Sequence, residues 1–184
     1  QLMQEAFDLG KRESTFNQQF IGKPGWLVFD TVVPDNIECC DLLQYDEASL
    51  NLVHVKKGFN NSVRDLTSQI LLSAKRIEND MKTGFNYINE VERRTKKGIK
   101  SDSTIVRRLA GQVFPSAGLK HIFDRKLKQI AFCLAFVDTT GENRILKDNV
   151  HKFQSNIAKY SLIELRQQIR AMGFEFKIIQ LIGV

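Results

Sequence analysis

Asp41, His54 and Lys56 place a carboxylate, an imidazole and an ammonium in one short stretch of this chain. Together such groups can hold a cation, relay a proton or steady developing negative charge. Side chains alternate along a strand, so over 37–43 Asp41 shares a face with Cys39 and Leu43, while Glu38, Cys40 and Leu42 point the other way. Over 50–56, His54 and Lys56 share a face, with Val53 and Val55 opposite. A hairpin of these two strands brings Asp41, His54 and Lys56 to one sheet edge, and the helix ahead of them adds Glu13.

The elements that must position these groups are legible in outline. Segment 4–20 has helical spacing in pieces, interrupted near Gly10; Glu13 and Asn17 share one face, Phe16 and Phe20 another. Gly22, Pro24 and Gly25 end it. Strands are expected over 26–33, 37–43 and 50–56, with Pro34, Asp35 and Asn36 as the first turn, and the short connections imply an antiparallel meander. Ser62 then reads as an N-cap with Asp65 as its capping-box partner. Val63, Leu66, Ile70, Ala74, Ile77 and Met81 recur at three- and four-residue intervals, the strongest helical signal in the chain. Region 83–125 reads as a basic helical insertion. A strand over 128–137, apolar almost throughout, precedes a helix over 149–172 with Val150, Phe153, Ile157, Tyr160 and Ile169 along its apolar side. A strand over 174–182 closes the chain. The fold class is α/β, a mixed central sheet flanked by helices, in one domain spanning 1–184.

Composition narrows the setting. A 42% apolar and 26% charged chain suits a globular domain, and no stretch nears the roughly 18 apolar residues that cross a bilayer. Cys39, Cys40 and Cys133 are too few, and odd in number, for a disulfide framework, and no CxxC spacing suggests zinc; buried reduced thiols in a cytoplasmic protein are expected. The net charge of +6 biases the chain toward polyanions. Its densest run is Arg93, Arg94, Lys96, Lys97 and Lys100, a candidate for phosphate contacts or simply a solvated helix face. The 13 phenylalanines fit core packing better than base stacking, since no aromatic-basic interleaving is present. The chain opens on Gln1, and a piece of a larger protein is expected.

The order helix, three-strand meander, helix, strand resembles the restriction-endonuclease-like, or PD-(D/E)xK, nuclease superfamily, whose signature is an acid on the second strand and (D/E)-x-K on the third. Asp41 stands for the first acid, His54-Val55-Lys56 occupies the acid-x-Lys position, and Glu13 matches an acid often found on the first helix. Gln69 lies on the following helix, where some members carry an active-site polar residue. More closely, 37–74, with IECCDLL, LVHVKKG and SQILLSAK, resembles a family of sporadically distributed bacterial proteins with no established activity, on Glu38, Cys40, Asp41, His54, Lys56, Gln69 and Ser73.

The superfamily resemblance implies an αβββαβ core extended by a C-terminal helix and strand, and a metal-dependent nuclease acting on nucleic acid, DNA ahead of RNA, in defence against foreign nucleic acid. Mg²⁺ or Mn²⁺ would be held by Asp41, with Glu13 and His54, and Lys56 would orient the attacking water. His54 departs from the pattern: imidazole suits manganese or zinc better than magnesium, and it also suits a general base. Asp30 competes with Asp41 for the acid role, and a bulge would bring Glu38 round to it. The alternatives are a catalytically degenerate domain that binds nucleic acid or a protein partner, and an assembly module, hence a homodimer, using the 149–172 helix.

Overall fold

The computed structural model describes residues 3–98, 101, 103–123, 128–142 and 144–184. Five strands form one mixed sheet in chain order: β1 (Trp26–Val28), β2 (Leu42–Tyr45), β3 (Ser49–Lys57), β4 (Gln129–Val137) and β5 (Glu175–Leu181). β2 is antiparallel to both neighbours, while β3, β4 and β5 run parallel. Parallel strands require crossovers. α2 (Ser62–Thr83), α3 (Asn86–Lys97) and α4 (Thr104–Ala110) lie between β3 and β4. The short α5 (Leu146–Asn149) and α6 (Asn156–Ala171) lie between β4 and β5. β3 and β4 register from Ser49↔Gln129 to Lys57↔Val137. Both are buried on two faces, which explains their nearly unbroken apolar sequence.

Two cores separate the faces. On one, Leu50, Leu52, Phe132, Leu134 and Phe136 pack against Val63, Ile70, Ala74 and Ile77 of α2, Ile88 and Val91 of α3, and Leu165 and Ile169 of α6. On the other, Val28, Val53, Val55, Ala131, Cys133 and Ala135 meet Met3, Phe7, Phe16 and Phe20 of the N-terminal segment. Stacked and edge-on ring pairs run through both, among them Phe7–Phe16 and Phe132–Phe174, so the phenylalanines are core residues. Among the described residues, no helix is long and apolar enough to cross a membrane. All three cysteines are free and buried.

Several expected boundaries move, each for a local reason. The 4–20 helix contracts to α1 (Glu13–Asn17) plus a 3-10 turn at Gln18–Phe20. Ahead of it, Phe7 forms a parallel bridge with Gly183, and the Phe7 and Leu9 amides donate to the Ile182 and Val184 carbonyls at 2.7 and 2.8 Å. The first strand stops at Val28. There the Gln112 side chain imitates a neighbouring strand: its Oε1 accepts from the Val28 amide at 2.7 Å and its Nε2 donates to the Val28 carbonyl at 2.9 Å. α2 begins at Ser62 itself, with the Asn60 carboxamide oxygen, not an Asp65 capping box, accepting the Ser62 amide at 2.9 Å. α6 starts only after Ser155, whose hydroxyl caps the Ala158 amide at 3.2 Å. Its buried face is Ala158, Leu162, Leu165 and Ile169, leaving Ile157 and Tyr160 exposed.

The largest departure is 37–41, which is not strand. Asp35 and Asn36 take left-handed φ of 54° and 58°, angles that Asp and Asn tolerate. The carbonyls beyond them turn away from the ladder: the Tyr87 hydroxyl donates to Ile37 at 2.9 Å and the Ser73 hydroxyl to Cys39 at 2.5 Å. Arg76 pairs with Asp35 at 3.1 Å, and Arg94 reaches the Val33 carbonyl at 3.3 Å. The loop is therefore moored along its length to α2 and α3.

Candidate active site

Regular alternation fails just where the candidate acid sits. Leu42 is the ladder partner of Val53, yet the Asp41 amide also donates to the Val53 carbonyl at 3.0 Å. Two residues facing one is a bulge, and it swings Asp41 out of the alternating pattern. Cys39 and Cys40 consequently enter the same core instead of opposite faces. The Asp41 side chain then bonds the sheet in place of a backbone carbonyl, its Oδ2 accepting from the Val55 amide at 2.7 Å.

Asp41 forms the floor of a cleft of about 320 Å³, with Asn17, Asp30 and Val55 beside it and Lys11, Arg12, Glu13, Ser14 and Lys57 round it. Oxygens of Asp30, Glu38 and Asp41 all lie within 4.8 Å of one another. Glu38 reaches this group because its segment is coil, and it accepts from the Thr31 amide at 3.4 Å. Thr31 has φ 71°, a strained angle for a β-branched residue, immediately next to Asp30.

Burial raises the pKa of all three carboxylates, with neighbouring negative charge adding to it. Burial pushes Asp41 well up, with the Glu38 and Asp30 charges adding to it and the Val55 amide opposing. Burial also lifts Glu38, with Asp30 adding to it, and lifts Asp30 against the opposing Asn17 amide. Among the described residues none of the three makes an ion pair with a side chain. An all-oxygen donor set of this charge fits a hard divalent cation such as Mg²⁺ or Mn²⁺.

Of the expected site residues, Asp41 and Glu13 line this cleft, while Lys56 reaches it only through its pair with Glu13. Glu13 Oε1 accepts from the Lys57 amide at 2.8 Å and pairs with the Lys56 ammonium at 3.6 Å, fastening α1 to the end of β3. Glu13 lines the cleft but stands outside the three-carboxylate group.

His54 is misplaced as a ligand or base. It lies on the α2 face, fully buried, with neither ring nitrogen hydrogen-bonded among the described residues. Burial pushes its pKa down to about 4, the nearby Cys39 backbone offsetting this in part. That backbone carbonyl is already bonded by Ser73, and the ring misses hydrogen-bonding geometry to it. Gln69 is also misplaced: it is exposed on α2, across the sheet from the cleft.

On β3 the residues facing the cleft are Val55 and Lys57, one place along from His54 and Lys56. Lys57 was invisible to the motif reading, because a strand buried on both faces gives no parity to read. Its ammonium bonds the Leu9 carbonyl and, at 3.3 Å, that of Lys11.

The basic run sits on α3, whose Tyr87, Ile88 and Val91 are buried. Arg93 and Arg94 pair with Glu90, and Lys96 with Glu92; the basic side chains are exposed and Glu92 is half-buried. Lys97 is exposed, and Lys100 lies outside the described residues. Exposed pairs of this kind are weak and leave the arginines and lysines able to exchange partners.

Comparison with known families adds one result. The model of DUF6119, a family of unknown function, matches residues 1–181. The chain belongs to the DUF6119 family. No curated protein matches it, and no solved structure does. The DUF6119 match spans the whole cleft, from Lys11 through Asp41 to Lys57.

Proposed function

We propose that this domain is a metal-dependent phosphodiester hydrolase acting on nucleic acid, DNA ahead of RNA, on a restriction-endonuclease-like core. The observation that carries the reading is the meeting of Asp30, Glu38 and Asp41 at a cleft that Asp30 and Asp41 line together with Lys11, Arg12 and Lys57. Helix, meander, helix and parallel strand follow in the order that the resemblance requires. A net charge of +6 draws a polyanion, and a defence role remains part of the reading.

Asp41, fixed by the Val55 amide, would be the central ligand, with Asp30 and Glu38 beside it. Once bound, a divalent cation would neutralise phosphate charge and acidify a water. Exposed Lys11 and Arg12 are placed to hold flanking phosphates, giving affinity without sequence choice. Lys56 and Lys57 at the end of β3 contribute positive charge, Lys57 in the place where the motif carries its lysine.

The test is cleavage of labelled single- and double-stranded DNA and RNA with Mg²⁺ or Mn²⁺. Wild type should cut, Asp41→Asn and Lys57→Met should not, and His54→Leu should cut as wild type does. A second reading, a degenerate domain that binds nucleic acid without cutting, is favoured by Val55 at the position of the motif's second acid. Salt-sensitive binding with no cutting of any substrate would establish that reading and end the first.

A further inference from the structure

Asn17 holds the key to what the acidic group binds. It is 1% exposed, on the cleft wall one helical turn after Glu13. Its amide nitrogen stands 3.5 Å from Asp41 Oδ1, and its buried Oδ1 has no hydrogen-bond partner among the described residues. A buried carboxamide oxygen wants a donor or a cation. Among its neighbours, Phe16 and Phe20 of the same segment are apolar, and Asp30 and Asp41 can offer a donor only while protonated, so once they ionise around a cation the oxygen is left to that cation. Turning the amide over would set its oxygen against the Asp41 carboxylate instead.

Lys56 is committed to Glu13 and Lys57 to main-chain carbonyls, while Lys11 and Arg12 stand exposed at the rim; among the described residues none of them makes an ion pair with Asp30, Glu38 or Asp41. Three carboxylates and an amide oxygen thus share one need for positive charge. The lining supplies no sulfur or imidazole, since Cys39, Cys40 and His54 belong to the opposite core or face it.

We infer that Asn17 Oδ1 is a fourth protein ligand, completing with Asp30, Glu38 and Asp41 an oxygen-only site for a hard divalent cation. The inference rests on the hydrolase reading for its location and goes beyond it in naming the ligand set. Oxygens on opposite sides of a cation stand about 4.2 Å apart for Mg²⁺ and about 4.8 Å for Ca²⁺. The three carboxylate oxygens all lie within 4.8 Å of one another, no farther apart than the larger of these shells allows.

The experiment titrates Mn²⁺ into the chain and reads free Mn²⁺ by electron paramagnetic resonance, with folding checked by circular dichroism. Wild type should bind a single Mn²⁺ that excess Mg²⁺ releases. Asn17→Leu should weaken binding by about tenfold or more, and Asn17→Asp, which keeps the oxygen, should bind at least as well as wild type. Unchanged affinity in a folded Asn17→Leu overturns the ligand role and leaves the hydrolase reading standing. Should Asn17→Leu not fold, weaker binding in Asn17→Asp than in wild type overturns it equally. No Mn²⁺ binding by the wild type overturns the site, and cleavage assays then decide the hydrolase separately.

Discussion

Replacing His54 with leucine separates the observed site from the one that the motif implies. The imidazole is buried with both nitrogens unpaired, and burial pushes its pKa from the ordinary 6.5 to about 4. A histidine held neutral in the fold but free to protonate when unfolded makes the unfolded chain the stronger proton binder between those values. Its contribution to stability is therefore fully present above pH 6.5 and falls as the pH drops toward about 4. The gap corresponds to about 3 kcal/mol. Asp30, Glu38 and Asp41, whose pKa values are raised, act in the opposite sense, favouring the fold at acid pH, and cancel between the two proteins. His54→Leu should match the wild type within about 1 kcal/mol at neutral pH, because it removes two unpaired polar atoms. It should exceed the wild type by about 3 kcal/mol near pH 4. Urea denaturation of the metal-free proteins from about pH 4 to about pH 7.5 reads the difference. A difference that does not change with pH, or loss of metal-dependent cleavage in a folded variant, would refute the placement of His54.

Other consequences are as direct. Gln112→Leu leaves the Val28 amide and carbonyl without their side-chain partner and should cost about 2–4 kcal/mol in thermal denaturation. Asp80 is buried and accepts the Tyr87 and Ile88 amides at 2.8 and 2.9 Å, so Asp80→Ala should cost about 2–4 kcal/mol and loosen the start of α3. Glu38→Gln should stabilise the metal-free chain above the carboxylate range by relieving repulsion, while weakening Mn²⁺ binding; thermal melts with and without Mn²⁺ should shift in opposite directions.

The α/β class, the meander and the two strongest segments, α2 and β4, were legible because their patterns are long and consistent. Asp41 and Glu13, singled out by spacing and element order, line one cleft, whereas Lys56 is not part of its lining. What was not legible depends on backbone that leaves the regular pattern. Strict alternation over 37–43 sends Glu38 away from Asp41, and only the coil and bulge bring them together. Pro34, Asp35 and Asn36 were the available signal, since residues that accept turns and left-handed angles shorten the strand after them. His54 was misread because polarity within an apolar run suggests function, whereas here the side chain simply fills the core beneath α2. Asn17 was placed on the face of Glu13, but its unpaired oxygen is a property of three-dimensional packing that no spacing encodes.

The loop over 29–41 sets two buried thiols between two of the clustered acids, in the order Glu38, Cys39, Cys40, Asp41. Cys39 and Cys40 can meet a thiol reagent only when that loop lifts from Ser73 and Tyr87. Their labelling rate is thus a built-in clock for local opening. Whatever draws Glu38 and Asp41 together should slow it, while Cys133, buried between β3 and β5, keeps its own pace.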